Sequence, residues 1–214
     1  MSFENMPFTW KRASEMMQDV KVIRDGITPN DIFQGRLGDC YLLSSLSALA
    51  EFPDRIERIL INKEASSKGM YSVALNLNGD WQLITLDDLF PTNARKITFC
   101  HSQTAELWAM LLEKAYAKAY GGYWNIGTGG FAEDALKDLT GAPTEFGQIN
   151  ETTNTDELWK KLHFCDKKNY VMVVGSKGQG ESKTESGIIE GHAYTLIGCH
   201  TFNDQRVRPL EKVC

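Results

Sequence analysis

The sequence lacks the features that would place the protein in a membrane or on nucleic acid. No apolar run approaches the roughly 20 residues of a membrane-spanning helix, and residues 1–17 carry no basic segment followed by an apolar core. The second absence argues against a secretory signal. The formal net charge is −5 and the basic residues are scattered, which disfavours phosphate or anionic lipid as the main partner. We therefore expect a cytoplasmic protein with no membrane span and no nucleic-acid partner.

The sequence also has few cysteines and no arrangement of them that indicates a disulfide framework or a metal site. The five cysteines are an odd number without regular spacing, so we expect a reducing compartment. The cysteines and histidines that are near neighbours are Cys100 and His101, His163 and Cys165, and Cys199 and His200. None of these pairs has zinc-site spacing. We expect no zinc there and no organic cofactor anywhere.

What is present is a composition typical of a folded globular protein. With 214 residues, 42% of them hydrophobic and 24% charged, the chain can bury a core as one domain or as two lobes that meet at a cleft. Apolar and small residues are nearly continuous over 41–49, which predicts a buried helix, and helical spacing over 105–120 predicts another. Alternating residues on both sides of Asn78 and Gly79 predict a hairpin.

The rest of the pattern predicts a change of structure after the glycine-rich region around 141–143. Shorter helices are predicted near 133–139 and 156–162. Apolar runs at 170–174 and 193–197 favour buried strands, joined by a polar, glycine-rich segment that we expect to be a surface loop. Residues 1–30 are interpreted as a polar lead-in, and the neighbouring carboxylates Asp87 and Asp88 as solvated groups at a hairpin end.

Cys40 is the strongest candidate for a reactive side chain. Most cysteines are buried packing residues, but Cys40 stands where a loop with Gly35 and Gly38 passes into the predicted helix. A thiol attacks carbonyls only as thiolate, which the positive end of a helix and an imidazolium stabilise. The glycines would allow the backbone to approach a ligand closely. The pattern therefore indicates a nucleophile.

Gln34 lies on the same loop, six positions before Cys40. A glutamine in such a place is usually a solvated loop residue. Its side-chain amide could instead face a carbonyl oxygen under attack by the cysteine sulfur. Together with the backbone N–H of Cys40 it would then form an oxyanion hole. The neighbouring cysteine is what favours the functional interpretation.

Four histidines compete for the role of general base. His101 follows a cysteine in a polar turn, His163 ends a charged helical stretch, and His200 lies past a strand, in a turn. His192 begins the apolar strand beside the glycine-rich segment, where its ring can project into a cleft. We predict His192 as the base.

These segments resemble a known family. DIFQGRLGDCYLLSSLSAL, ELWAMLLEKAYAKAYGGYW and GHAYTLIG occur in the same order and at nearly the same spacing as in the protease core of calpains. The resemblance runs from about Gly26 to His200. It implies a papain-like, two-lobed α+β fold and limited endoproteolysis of cytosolic protein substrates, with Cys40 as nucleophile, His192 as general base and Gln34 as oxyanion donor.

The resemblance also implies a division of the chain. Residues 1–25 would be a lead-in, residues 26–145 a helical lobe that carries the cysteine, and residues 146–214 a truncated β-rich lobe that carries the histidine. The antiparallel sheet of this second lobe would be incomplete. Tyr41 stands where the family usually has tryptophan.

Calcium regulation is a further implication of the resemblance. The carbonyl of Gly26 and the carboxylate of Asp31 match calcium-binding positions of the family. The acidic partner expected after the GGY segment is replaced by Trp124 or Asn125. Loss of a carboxylate from an oxygen-only site weakens calcium binding, so we expect a weak site.

The family's catalytic asparagine, in an Asn-Pro-Trp-Gly motif, is missing from the sequence. If the chain turns near Asn203 and Asp204, antiparallel register puts the residue opposite His192 about eleven positions further on, at or just past Cys214. Two alternatives to a peptidase therefore stay open. One is an inactive calpain-fold protein that acts in binding. The other is transglutaminase-like acyl transfer with Asp204 orienting the histidine.

Overall fold

The computed structural model describes residues 7–94, 96–178, 182–203 and 205–211. The helices are α1 (Ala13–Met16), α2 (Cys40–Ala50), α3 (Pro53–Ile59), α4 (Trp108–Ala119), α5 (Tyr123–Ile126), α6 (Ala132–Thr140) and α7 (Thr155–Lys167). The strands are β1 (Thr9–Arg12), β2 (Met70–Leu77), β3 (Asp80–Asp87), β4 (Leu89–Asn93), β5 (Lys96–Ile97), β6 (Val173–Gly175), β7 (Ala193–Leu196), β8 (His200–Phe202), β9 (Gln205–Val207) and β10 (Leu210–Glu211). Helices and small antiparallel sheets together form the expected α+β arrangement.

Helix α2 is the centre of the core. Every residue from Tyr41 to Ala50 is buried, which explains why its sequence is apolar or small on all sides. The predicted helix over 41–49 is confirmed. Pro53 follows the end of this helix and also begins α3. In the first turn of a helix its missing N–H costs no hydrogen bond.

Helix α4 packs against this core through a run of fully buried side chains: Trp108, Met110, Leu111, Leu112 and Ala115. It confirms the predicted helix within 105–120. The chain leaves the helix through Gly121 at φ +86°, a conformation that glycine adopts without strain.

The hairpin of β2 and β3 is the one that the sequence predicts. Asn78 and Gly79 both have positive φ, 55° and 90°, as a two-residue hairpin turn requires. Leu77 pairs with Asp80 next to that turn. Val73 and Leu75 face the core, whereas Trp81 on the partner strand is exposed.

The segment interpreted as a polar lead-in contributes to the folded core. Strand β1 pairs antiparallel with β4, and Ala13, Val22 and Ile27 are buried in the same cluster as α2. Arg12 forms an ion pair with Asp88, which is buried. The interpretation of Asp88 as a solvated carboxylate is therefore wrong, because its counter-charge comes from a distant part of the chain.

The last part of the chain forms a sheet of order β10, β7, β6, with antiparallel pairs throughout. The β8 and β9 strands make the hairpin that leads from β7 back to β10. Helix α7 is longer than the predicted 156–162, since it continues to Lys167. Asn154 caps its start by accepting bonds from two backbone N–H groups. The predicted strand at 170–174 begins only at Val173. Within the described ranges no helix has the length and apolarity needed to cross a membrane.

Candidate active site

Cys40 is the first residue of α2 and is half-buried. The preceding residue is Asp39. The backbone carbonyl of Asp39 accepts hydrogen bonds from the N–H groups of Leu42, at 2.9 Å, and Leu43, at 3.1 Å. These bonds fix the first turn of the helix. The thiol therefore lies at the end where the helix carries partial positive charge, as the sequence analysis predicted for a reactive cysteine.

The glycines before Cys40 pack closely against neighbouring backbone. A Cβ on Gly35 would lie 2.2 Å from the carbonyl oxygen of Thr98, and one on Gly38 would lie 2.5 Å from that of Gly127. The small size of these residues thus allows the loop to lie against two other backbone segments. The backbone N–H of Arg36 donates to the same Thr98 oxygen at 2.9 Å. This packing holds the loop that leads into Cys40.

Gln34 is half-buried on this loop, and its Nε2 donates to the carbonyl oxygen of Leu37 at 2.8 Å. A side-chain amide nitrogen carries two hydrogens, so this bond orients the group and uses only one of them. The amide stays on the loop that delivers Cys40. Its role as an oxyanion donor remains a prediction.

His192 directly precedes β7 and is only 6% exposed. Ser176 holds its backbone on both sides, since the serine Oγ accepts from the His192 N–H at 3.0 Å and the serine N–H donates to the His192 carbonyl at 2.9 Å. The imidazole meets the ring of Tyr194 edge-on, with centroids 5.2 Å apart. The ring is therefore held out of bulk water.

A buried hydrogen bond joins the cysteine helix to the histidine strand. Thr195 Oγ1 donates to the carbonyl oxygen of Ser44 at 2.8 Å. Thr195 is three residues after His192, about 10 Å of strand, and Ser44 is four residues after Cys40, about 6 Å of helix. The contact therefore lies close in sequence to each of the two predicted catalytic residues, although these are far apart from one another along the chain.

Two buried carboxyl groups lie beneath this region, and the sequence analysis missed both. Asp39 is 0% exposed and Glu113 on α4 is 2% exposed. The charge of Asp39 acts on the carboxyl of Glu113, and both carboxylate oxygens of Asp39 are buried without a hydrogen-bond partner among the described residues. Burial raises the pKa of Asp39 to about 7 and the pKa of Glu113 well above its ordinary value. No spacing in the sequence indicates the pair, because it forms only when α4 packs against the start of α2.

The strand expected to return beside the histidine strand is present as β10. Leu210 pairs with Leu196 and Glu211 with Thr195, so each step along β10 leads one residue closer to His192. The position opposite His192 lies outside the described residues, as do Asp204 and Cys214. Asn203 has φ 48° in the turn after β8, which is the turn-forming role that its type favours.

The other three histidines lie elsewhere. His163 is exposed on α7 and stacks on Trp159 with centroids 6.2 Å apart, and His101 Nδ1 is 3.1 Å from the carbonyl oxygen of Phe99. His200 is in strand β8, not in the turn that was predicted. In the part of the chain that the structure describes, no group of three or more histidine, cysteine, aspartate or glutamate side chains is arranged to hold a metal ion.

The predicted calcium residues lie in a tight local structure. Asp31 accepts bonds from the backbone N–H of Thr28 at 2.7 Å and from its hydroxyl at 3.1 Å. The nearby acid is Glu106, which is buried and accepts from the N–H of Arg24 at 2.5 Å. Burial raises the pKa of Glu106, and the negative charge of Asp31 adds to the effect. Glu106 lies apart in sequence from the position after the GGY segment, where the resemblance implies that Trp124 or Asn125 replaces the family's acidic partner.

The structure thus combines a cysteine that opens a buried helix with a histidine directly before the strand that packs on that helix, in an α+β fold consistent with a calpain-type protease core. The chain belongs to the calpain family of cysteine proteases, whose profile it matches over residues 2–212. It is 34% identical to the calpain-type cysteine protease DEK1 of Zea mays over 202 residues, which are 88% of this chain and 9% of that protein.

Two mammalian calpains match the chain with similar identity and over a similar length. Calpain-9 of Mus musculus is 32% identical over 213 residues, 95% of this chain and 30% of the relative. The calpain-1 catalytic subunit of Mus musculus is 33% identical over 206 residues, 92% of this chain and 29% of the relative. The chain thus spans less than a third of the length of these proteins.

Proposed function

We propose that this chain is the catalytic core of a calpain-like cysteine endopeptidase that acts on proteins of the cytoplasm. The observation that carries the proposal is the buried bond between Thr195 and Ser44, because it joins the helix of Cys40 to the strand of His192. Family membership supports the reaction class. The acidic net charge and scattered basic residues favour protein over nucleic acid as the substrate.

The proposed reaction is acyl transfer through the thiol. The Cys40 thiolate attacks the peptide carbonyl carbon, and the oxyanion that forms accepts hydrogen bonds from the Gln34 amide and the backbone N–H of Cys40. His192 as imidazolium gives a proton to the leaving amine. Neutral His192 then takes a proton from water, whose oxygen attacks the thioester and releases the acid and the thiolate.

The pH dependence of Cys40 alkylation by iodoacetamide tests this assignment. We expect a reactive limb well below the ordinary thiol pKa of about 8.5, because the helix end and an imidazolium stabilise the thiolate. His192→Ala is expected to move this limb back towards the ordinary value. Peptide mapping after alkylation assigns the rate to Cys40.

His163→Ala is the matched control, since that histidine is exposed on α7. It should leave the limb in place. A limb near pH 8.5 in the wild-type chain that is indifferent to His192 would overturn the proposal and favour a calpain-fold protein that acts only in binding.

We further propose weak calcium binding by the loop that contains the Gly26 carbonyl and Asp31, with Glu106 as the second carboxylate. Hard oxygen ligands of this kind suit calcium. Calcium chloride is expected to raise the Tm of the chain, because a ligand that binds the folded state stabilises it. Asp31→Asn and Glu106→Gln should each remove most of the rise, whereas Asp25→Asn should not. An equal Tm rise in all four proteins would contradict this site.

A further inference from the structure

Glu113 connects three segments of the chain around the start of α2. The residue belongs to α4, and its Oε1 accepts a hydrogen bond from the backbone N–H of Cys100 at 2.9 Å. The charge of Asp39 acts on this same carboxyl group, and the two carboxylate oxygens of Asp39 are buried without a hydrogen-bond partner among the described residues. Asp39 in turn is the N-cap residue directly before Cys40. This interaction therefore reaches from α4 to the residue next to the nucleophile.

The two carboxyl groups form no ion pair with a cation of the described part of the chain. None of the ion pairs among the described residues involves Asp39 or Glu113. The other titratable groups that act on or with them are the buried Cys100, Tyr123 of α5 and Tyr41 of α2, whose pKa values burial raises. These groups are neutral near pH 7. Two adjacent buried carboxylates repel each other and cannot both be ionised at low cost.

We propose that Asp39 and Glu113 share one proton, and that this pair is a positioning device for Cys40. The Oε2 of protonated Glu113 donates to the Asp39 carboxylate, while Oε1 keeps the bond from Cys100. The pair fixes the position of the first turn of α2 and determines the negative charge next to the Cys40 thiol. The part of the inference that concerns catalysis rests on the proposed role of Cys40 as nucleophile.

A charge beside the thiol has a definite sign of effect. When Asp39 is ionised, its negative charge opposes formation of the Cys40 thiolate, and when the pair is fully protonated it does not. Asp39→Asn removes this charge. Glu113→Gln keeps a donor towards Asp39 but removes the competing carboxyl, so Asp39 stays ionised to lower pH.

The first experiment is the pH profile of Cys40 alkylation in these two variants. We expect the midpoint in Glu113→Gln to be about one pH unit above that in Asp39→Asn, with the wild type between them. Asp138→Asn is the matched control, because Asp138 is another buried carboxyl with a raised pKa, hydrogen-bonded to Tyr120 instead. It should leave the midpoint unchanged. Equal midpoints, or shifts in the same direction in both variants, would overturn the positioning role.

The second experiment measures unfolding by urea against pH and does not depend on catalysis. A carboxyl whose pKa is raised in the folded state binds a proton that the unfolded chain releases, so stability is lost as pH rises from about 4 to 7. Over this interval the unfolding constant of the wild type should rise up to about tenfold more per pH unit than that of Glu113→Gln, in which Asp39 is ionised and no proton is held.

The two experiments separate the two proposals. Parallel pH dependences of unfolding in the wild type and in Glu113→Gln would show that no proton is shared, whatever Cys40 does. If the variants cannot be purified folded, an infrared band of a protonated carboxyl in the wild type that persists at pH 7 supports the pair, and its absence overturns it. A third outcome is that the unfolding data support the shared proton while the pH profile of Cys40 alkylation is unchanged by His192→Ala. That combination would contradict the proposed peptidase function but not the shared proton.

Discussion

Cys40→Ala is expected to reduce hydrolysis of a fluorogenic peptide at least about 1,000-fold, to background. The reason is that no acyl-enzyme can form without the sulfur, and the remaining groups only bind and polarise the carbonyl. The measurement is the initial rate of hydrolysis at saturating peptide, with the wild type and the variant at equal concentrations of folded protein. Cys165→Ala is the control, because that half-buried cysteine lies on α7, and its rate should equal that of the wild type.

Gln34 provides a second test of the same site, with a different signature. Gln34→Ala should lower the hydrolysis rate about 100-fold, as loss of one oxyanion donor does elsewhere. It should leave the alkylation rate of Cys40 unchanged, because iodoacetamide attack develops no oxyanion. A variant that loses alkylation and hydrolysis together would instead indicate that Gln34 acts on the structure of the loop, through its bond to Leu37.

Gly35→Ala is expected to lower the free energy of unfolding by about 3 kcal/mol. Its Cβ would lie 2.2 Å from the carbonyl oxygen of Thr98 and 2.4 Å from that of Phe99, and backbone atoms cannot rotate away as a side chain can. The loop would have to shift, and the bond from Arg36 N–H to Thr98 would break with it. Urea denaturation measures the loss.

The matched control for this change is Gly147→Ala, because a Cβ there meets no atom within 4 Å. Its stability should stay within about 0.5 kcal/mol of the wild type. Because Gly35 leads into Cys40, the Gly35 variant should also slow Cys40 alkylation under conditions in which it is still folded. A stable Gly35→Ala protein would contradict the packing of this loop.

Local elements could be predicted because the interactions that define them lie close together in sequence. The hairpin of β2 and β3 depends on alternation and on two residues with positive φ, and α2 on a continuous apolar run. Strand β1 could not be predicted, since its partner β4 is some 80 residues away and its own residues show no regular alternation. The buried Ala13 and Val22 were missed for the same reason.

The candidate site divides in the same way. The sequence by itself determined the chemistry that is available, because Gln34 and Cys40 share one loop and His192 begins an apolar strand. Only the tertiary structure brought the strand to the helix through Thr195 and Ser44 and buried the carboxyls of Asp39, directly before Cys40, and of Glu113. The physical reason is that a residue's type and its near neighbours are written along the chain, whereas burial and long-range contacts exist only once α2, α4 and β7 have packed together.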